Sequence, residues 1–473
     1  MDSATRPDRG GRLILDTSSL VRWIGPPVGI VRVEHAVASY AREHRPDVVP
    51  CFYDRLDHRY RRLDPQWAGV VTGLAGAIDL IQRDFRKRLP WWRRCLSPRY
   101  PVLMALERRR LTTRNPRVAR ALGRAQQLLL ALRPSDWPFG SADGERMTIV
   151  PFDLAVADDL APGPADVVLS IGADWTHKDV AALAALKHRA GFRLVVLCYD
   201  IIPLLHPEFY PADEVARFRS HWLAMFALAD RVLFNARRIE ADARQFCADE
   251  GVPIGQTQVV PLGYEPSLPA AVTAPLRQGL EAGRFALFVS TIEPRKGHRL
   301  LVDVWRRLLA RGVPQRARFK LVFVGRRGWM VDDLVREIAD AAAFDFTLLH
   351  LADCDDAELT GLYDAAAFCL YPSTYEGFGL PIIEAFARGK AVIASTGGAV
   401  PETVDGLSPC LEVAEPAAWE ALLARWIEDP QARAGYERRI RDGFAHDSWP
   451  KAAAALLAAA EGARAREDEP APP

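Results

Sequence analysis

From Phe285 to Ser395 short apolar runs alternate with amphipathic segments: FALFVS, HRLLVDVWRRLLA, FKLVFVG, VDDLVREIADAAA, FTLLH, DAELTGLYDAA, FCLYPS, PIIEAFARG and AVIAS. The short runs lack a period of two, which predicts strands covered on both faces, and the longer segments space their apolar residues as helices do. Strand and helix in alternation predict a parallel, doubly wound sheet. The first half repeats the theme with RLILD from Arg12, DVVLSIG from Asp166, RLVVLCYD from Arg193, RVLFN from Arg231 and QVVPLG from Gln258, and predicts a second unit of the same kind. Between the two, Tyr264 to Gly283 mixes Pro, Gly and polar residues and reads as a linker.

These runs predict an α/β protein with a first domain over 11–265 and a second over 284–445. An Ala-rich helix at about 447–465 is placed where it can pack back on the first domain, and a loose charged, Pro-rich tail follows over 464–473. A length of 473 residues fits, since a domain averages roughly 150 residues. Charged residues at 26% and hydrophobic ones at 49% exclude a disordered or fibrous chain.

The seven cysteines are scattered singly, so neither a zinc site nor a disulfide framework is expected. No signal-like or membrane-spanning run of about 18 apolar residues is present, and a cytoplasmic location is the expectation.

The net charge of +1 hides one local imbalance. Leu80 to Gly123 carries many arginines against only Asp84 and Glu107, with Trp91, Trp92 and Tyr100 interleaved. This basic insertion at about 80–125 suits an anionic membrane surface or an anionic acceptor; the plainer reading is a solvated helical insertion covering the sheet. Nucleic acid is not an expected partner.

Candidate chemistry concentrates in YEGFGLPIIEAFARG. Its loop follows the strand FCLYPS, at the carboxyl end where open α/β sheets bind ligands. Gly377 and Gly379 permit close backbone approach, and Pro381 opens a helix whose N-terminus favours a phosphate. Glu384, expected in the first helical turn, can accept two hydroxyls from a ribose diol, and Glu376 faces another part of the same ligand.

The stretch resembles the E-x7-E signature of the family-4 retaining glycosyltransferases, including bacterial mannosyl- and rhamnosyltransferases of surface polysaccharide synthesis. STIEPRKGH from Ser290, LVFVGRRGW from Leu321 and LADCDDAELTGLYDAAAFCLYPS from Leu351 extend the likeness; GPPVGIVRVEHAV, YDIIPLLHPEFY and VVPLG match more loosely. The resemblance implies the GT-B fold, two doubly wound Rossmann-like domains facing across a cleft. It also implies transfer of a hexose from a nucleotide diphosphate sugar to a glycan or lipid-linked acceptor, with no metal or other cofactor; the alternatives are a nucleotide-sugar hydrolase or epimerase of the same fold, or a non-catalytic nucleotide-binding scaffold.

By the same resemblance Glu384 holds the ribose and Glu376 meets the transferred sugar or its leaving phosphate. Gly377, Phe378, Gly379 and Leu380 offer backbone N–H groups, and Lys296 with Arg295 neutralises the diphosphate. Gly29 brings first-domain backbone to the donor, while Asp200 and His206 orient the acceptor hydroxyl or the sugar. Tyr199 stands where many relatives have histidine.

Overall fold

A computed structural model describes residues 11–23, 29–73, 76–78, 80, 99–131, 148–265, 276–277 and 279–463. The alternation of the sequence is realised as two separate sheets. The second domain holds β11 (Phe285–Val289), β12 (Lys320–Val324), β13 (Leu348–Leu351), β14 (Phe368–Tyr371), β15 (Val392–Ser395) and β16 (Cys410–Leu411). They lie in the order β13-β12-β11-β14-β15-β16, every pair parallel. The chain therefore winds one way from β11 to β13 and the other way from β14 onward. A crevice opens between the carboxyl ends of β11 and β14, where the winding reverses.

The first domain is built on β1 (Leu13–Asp16), β2 (Val49–Asp54), β3 (Arg59–Leu63), β6 (Val156–Leu160), β7 (Val167–Ser170), β8 (Arg193–Cys198), β9 (Arg231–Phe234) and β10 (Gln256–Val259). Their order is β10-β9-β8-β7-β1-β2-β3-β6. This sheet is mixed: β3 runs antiparallel to β2 and to β6. The hairpin turns over 55–58, with His58 at φ +50°, and ion pairs such as Arg62–Asp158 at 2.8 Å line the antiparallel edge. Parallel pairing needs a covering crossover helix and this edge has a tight turn instead, so the wholly parallel sheet expected from the apolar runs does not extend to it. A small separate pair, β4 (Gly76–Ile78) and β5 (Thr148–Val150), sits beside it.

Most of the basic insertion's aromatic part, including Trp91 and Trp92, lies outside the described residues. The described remainder is a helical hairpin of Arg99–Thr112 and Pro116–Ala131, which reaches beyond 125. No helix among the described residues is long and apolar enough to cross a membrane.

The two domains are joined twice. One crossing follows β10, where part of the expected linker (266–275 and 278) lies outside the described residues. The other is the segment before the helix Trp449–Glu461, which leaves the second domain and packs Ala453, Leu456 and Leu457 into the first-domain core. Ser448 caps that helix and Pro450 opens it, and Tyr264 N–H donates to Asp447 O at 2.9 Å, so the two crossings run side by side.

The domains also share core. Tyr375 and Ala399 of the second domain are buried in one first-domain cluster, and Phe378 packs on another.

Candidate functional site

The loop after β11 and the loop after β14 meet at the reversal point of the second sheet. Gly297 permits the approach: it has φ +81°, and a Cβ there would fall 2.2 Å from Pro372 O. Thr374 N–H donates to Arg295 O at 2.8 Å, which ties the loops together. A short helical turn, Pro294–Lys296, presents Arg295 and Lys296 side by side.

Both cations converge on Glu376. Lys296 Nζ donates to Oε1 at 2.7 Å and Arg295 Nη1 lies 2.9 Å from Oε2. The three side chains are 14%, 13% and 8% exposed, so the cluster is shielded from bulk water and its charges act strongly on one another.

Burial alone would raise the Glu376 carboxyl, but the attraction of Arg295 and then Lys296 prevails and holds it at about 2. Burial lowers the Lys296 ammonium in spite of Glu376. For Arg295 the attraction of Glu376 outweighs burial and raises the guanidinium. Glu293 lies 3.4 Å from Arg295, and burial raises its carboxyl.

The first domain closes over this cluster with the loop after β8. A Cβ on Gly377 would lie 2.4 Å from Tyr199 O and 3.1 Å from Asp200 Cβ, so only glycine fits. Asp200 accepts from Ile202 N–H at 3.1 Å; burial raises its carboxyl, opposed chiefly by Arg295. His206 stacks on Phe209 and leans on Tyr375, with Nδ1 3.2 Å from Glu208 Oε1. Asp200, Lys296, Arg295 and Glu376 thus come together, and His206 stands at the rim.

The helix after the glycine loop is Leu380–Ala387, with Gly379 as its N-cap at φ +108° and Pro381 among its first two residues. The helix starts one residue earlier than the proline implies, so Glu384 falls past the first turn. Among the described residues no backbone carbonyl accepts from Gly377, Phe378 or Gly379 N–H, while Phe378 O accepts from the Thr403 hydroxyl.

Glu384 is fixed on Oε2 by the Tyr363 hydroxyl at 2.9 Å, and its Oε1 lies 3.5 Å from Arg32 Nη1 of the first domain. Gly29 opens the helix Gly29–His44 that carries Arg32, at φ +52°.

Arg32, Tyr363, Glu293 and Tyr264 belong to this neighbourhood and were not singled out from the sequence. Arg32 had one readable signal, a cation one helical turn after Gly29, the glycine that the resemblance brings toward the donor. The others gain their meaning only from the fold.

Residues 277–442 match the family Glycosyl transferases group 1. The O-antigen chain mannosyltransferase B of Escherichia coli is 29% identical over 261 residues, covering 52% of this chain and 63% of that protein. The MMP alpha-(1->4)-mannosyltransferase of Mycolicibacterium hassiacum is 31% identical over 234 residues, 48% of this chain and 53% of that protein. The chain thus spans less than two thirds of either curated relative. Among solved structures, an alpha,alpha-trehalose-phosphate synthase (UDP-forming) from Burkholderia vietnamiensis superimposes with a TM-score of 0.55 at 12% identity, over 96% of this chain and 100% of that one, a likeness of fold. With two doubly wound domains and this likeness of fold, the chain has the GT-B fold, and its glycosyl transferases group 1 match is confined to residues 277–442.

Proposed function

We propose that this protein is a retaining, metal-independent glycosyltransferase that moves a hexose, mannose or a related sugar, from a GDP- or UDP-sugar to a hydroxyl of a glycan or lipid-linked acceptor in surface polysaccharide synthesis. The observation that carries the reading is the convergence of Arg295 and Lys296 on Glu376 at the reversal point of the second sheet, with Glu384 on the adjacent helix. The mannosyltransferase names of the two relatives support the choice of sugar.

In this reading the diphosphate sits between the two cations and the uncommitted N–H groups of Gly377, Phe378 and Gly379, with Leu380 beginning the helix behind it. The bond from sugar C1 to phosphate oxygen breaks and charge gathers on the leaving oxygens, where fixed cations lower the barrier without reorganising. The acceptor oxygen bonds to C1 on the same face, and its proton passes to the leaving phosphate.

Asp200 and His206 border the sugar from the first domain and orient the hydroxyl, and Gly29 lets the opposite backbone approach the donor. Glu376, spending both oxygens on the cations, holds them in place and meets the sugar from below. Domain closure keeps water from C1. The basic insertion rests on the anionic inner membrane face, which gives a cytoplasmic, peripheral placement.

A thermal-shift titration of wild type and Glu384→Ala with UDP, GDP, ADP and dTDP tests the donor site. A nucleotide at about 100 times its dissociation constant adds about 2.7 kcal/mol of stability. One base should stabilise the wild type and lose its effect in the variant; no stabilisation by any of the four defeats the reading. The matching sugar nucleotide should then turn over only when an acceptor is supplied, whereas turnover without one makes the protein a hydrolase.

A further inference from the structure

Glu384 is engaged on both oxygens, and its two partners come from opposite domains. Tyr363 is buried in the same domain and fixes Oε2. Arg32 approaches Oε1 from the first turn of the helix Gly29–His44, which holds no acid in that turn.

The backbone beneath Arg32 is anchored by Glu34, whose buried carboxyl accepts from Ser19 N–H at 3.3 Å and Leu20 N–H at 3.0 Å. A fixed helix start therefore aims a long cation across the cleft at the carboxylate assigned to the ribose.

We propose that Arg32 is a donor-binding residue contributed by the first domain, which exchanges Glu384 for the diphosphate when a nucleoside diphosphate enters. The inference rests on the reading of Glu384 as the ribose ligand. A vicinal diol needs the Oε1 direction that Arg32 now holds, so the guanidinium must yield it to a neutral group and find another anion. In a nucleoside diphosphate that anion is adjacent, since the first phosphate is joined to the ribose through its 5′ carbon.

Charge also favours the exchange. Arg295 and Lys296 already face Glu376 and Glu293, so the second-domain cluster offers little net positive charge to a ligand with two phosphates. A guanidinium fork from the opposite wall makes up the deficit and pairs two phosphate oxygens at once. The positive end of its own helix adds to the field.

The test is calorimetric titration of wild type, Arg32→Ala and Arg32→Lys with uridine, UDP, guanosine and GDP. For the base that binds, Arg32→Ala should weaken the diphosphate about tenfold or more, the worth of a charge-assisted hydrogen bond. It should leave the nucleoside unchanged or tighter, because a competitor for Glu384 is gone, and Arg32→Lys should fall between.

Equal weakening of nucleoside and diphosphate would mean a structural role and overturn the proposal, as would a diphosphate affinity within twofold of wild type. If Arg32→Ala does not fold, Arg32→Lys and Arg32→Gln carry the same comparison. If wild type binds neither these diphosphates nor ADP or dTDP, the donor-site reading falls and takes this proposal with it, whereas a null effect confined to the Arg32 variants leaves the donor site standing.

Discussion

At the scale of single residues the second-domain cluster stores charge in a form that pH can report. Glu376 is held at about 2 against an ordinary 4.5. A carboxylate depressed in this way contributes stability that is fully present above about pH 4.5 and is lost as pH falls toward 2. The contribution is on the order of 3 kcal/mol.

Urea unfolding of wild type should show stability dropping through that window. Glu376→Gln should be less stable at pH 7, because two cations lose their carboxylate, and should have a shallower acid slope. Identical slopes would mean that the cations do not hold the carboxylate. The glutamates, Lys296 and Arg295 were legible in the sequence because they fall within two short strand-loop segments. That both oxygens of Glu376 go to the two cations was not, since that depends on Gly297 letting one loop touch the other.

At the scale of elements the helix Gly29–His44 is the piece on which the first-domain side depends. Glu34 ties it to the turn after β1, and burial, then Asp16 and Asp174, push the Glu34 carboxyl well above its usual range. The sign is opposite to that of Glu376: a carboxyl raised by the fold contributes stability below its unfolded value and loses it as pH rises through its folded value.

Glu34→Gln keeps an acceptor for Leu20 N–H without a charge, so it should gain stability relative to wild type as pH rises to 8. Glu34→Ala strands two buried N–H groups and should cost about 2–4 kcal/mol at pH 6. Chemical denaturation at the two pH values decides; a Glu34→Gln that tracks wild type would show that no buried charge is forming. IVRVEHAVASYA spaces its apolar residues as a helix does, but an acid among them reads as a solvated residue until the turn after β1 is folded onto it. The antiparallel β3 escapes the pattern for a related reason: RYRRL is short and charged, and although it forms a hairpin with β2, the strand on its other side, VADDL, lies about a hundred residues away.

At the scale of the molecule, the two domains are latched by more than the site. The Glu402 carboxylate accepts from Arg237 N–H at 3.0 Å and Arg238 N–H at 2.6 Å, capping a first-domain helix from the second domain. The Tyr375 hydroxyl donates to Asp242, and Trp329 Nε1 donates to Phe209 O at 2.8 Å. Glu402→Ala removes a cap worth about 1 kcal/mol, enough to shift an open-to-closed ratio about fivefold. Small-angle scattering should show a larger radius of gyration for that variant without nucleotide and recovery when nucleotide is added. An unchanged radius would mean that shared core, through Tyr375 and Phe378, is enough to hold the domains shut.

The sequence by itself determined the two doubly wound units, the end of the second sheet at which the charged cluster gathers, and the residues of the glycine loop. Each of these is written in local periodicity and in loops of fewer than ten residues. The tertiary structure alone decided that Asp200 closes over Gly377, that Glu402 caps a helix in the other domain, and that Arg32 meets Glu384. Those pairs lie far apart along the chain, 352 residues in the last case. No local pattern encodes a contact that exists only once two separately folded cores have docked.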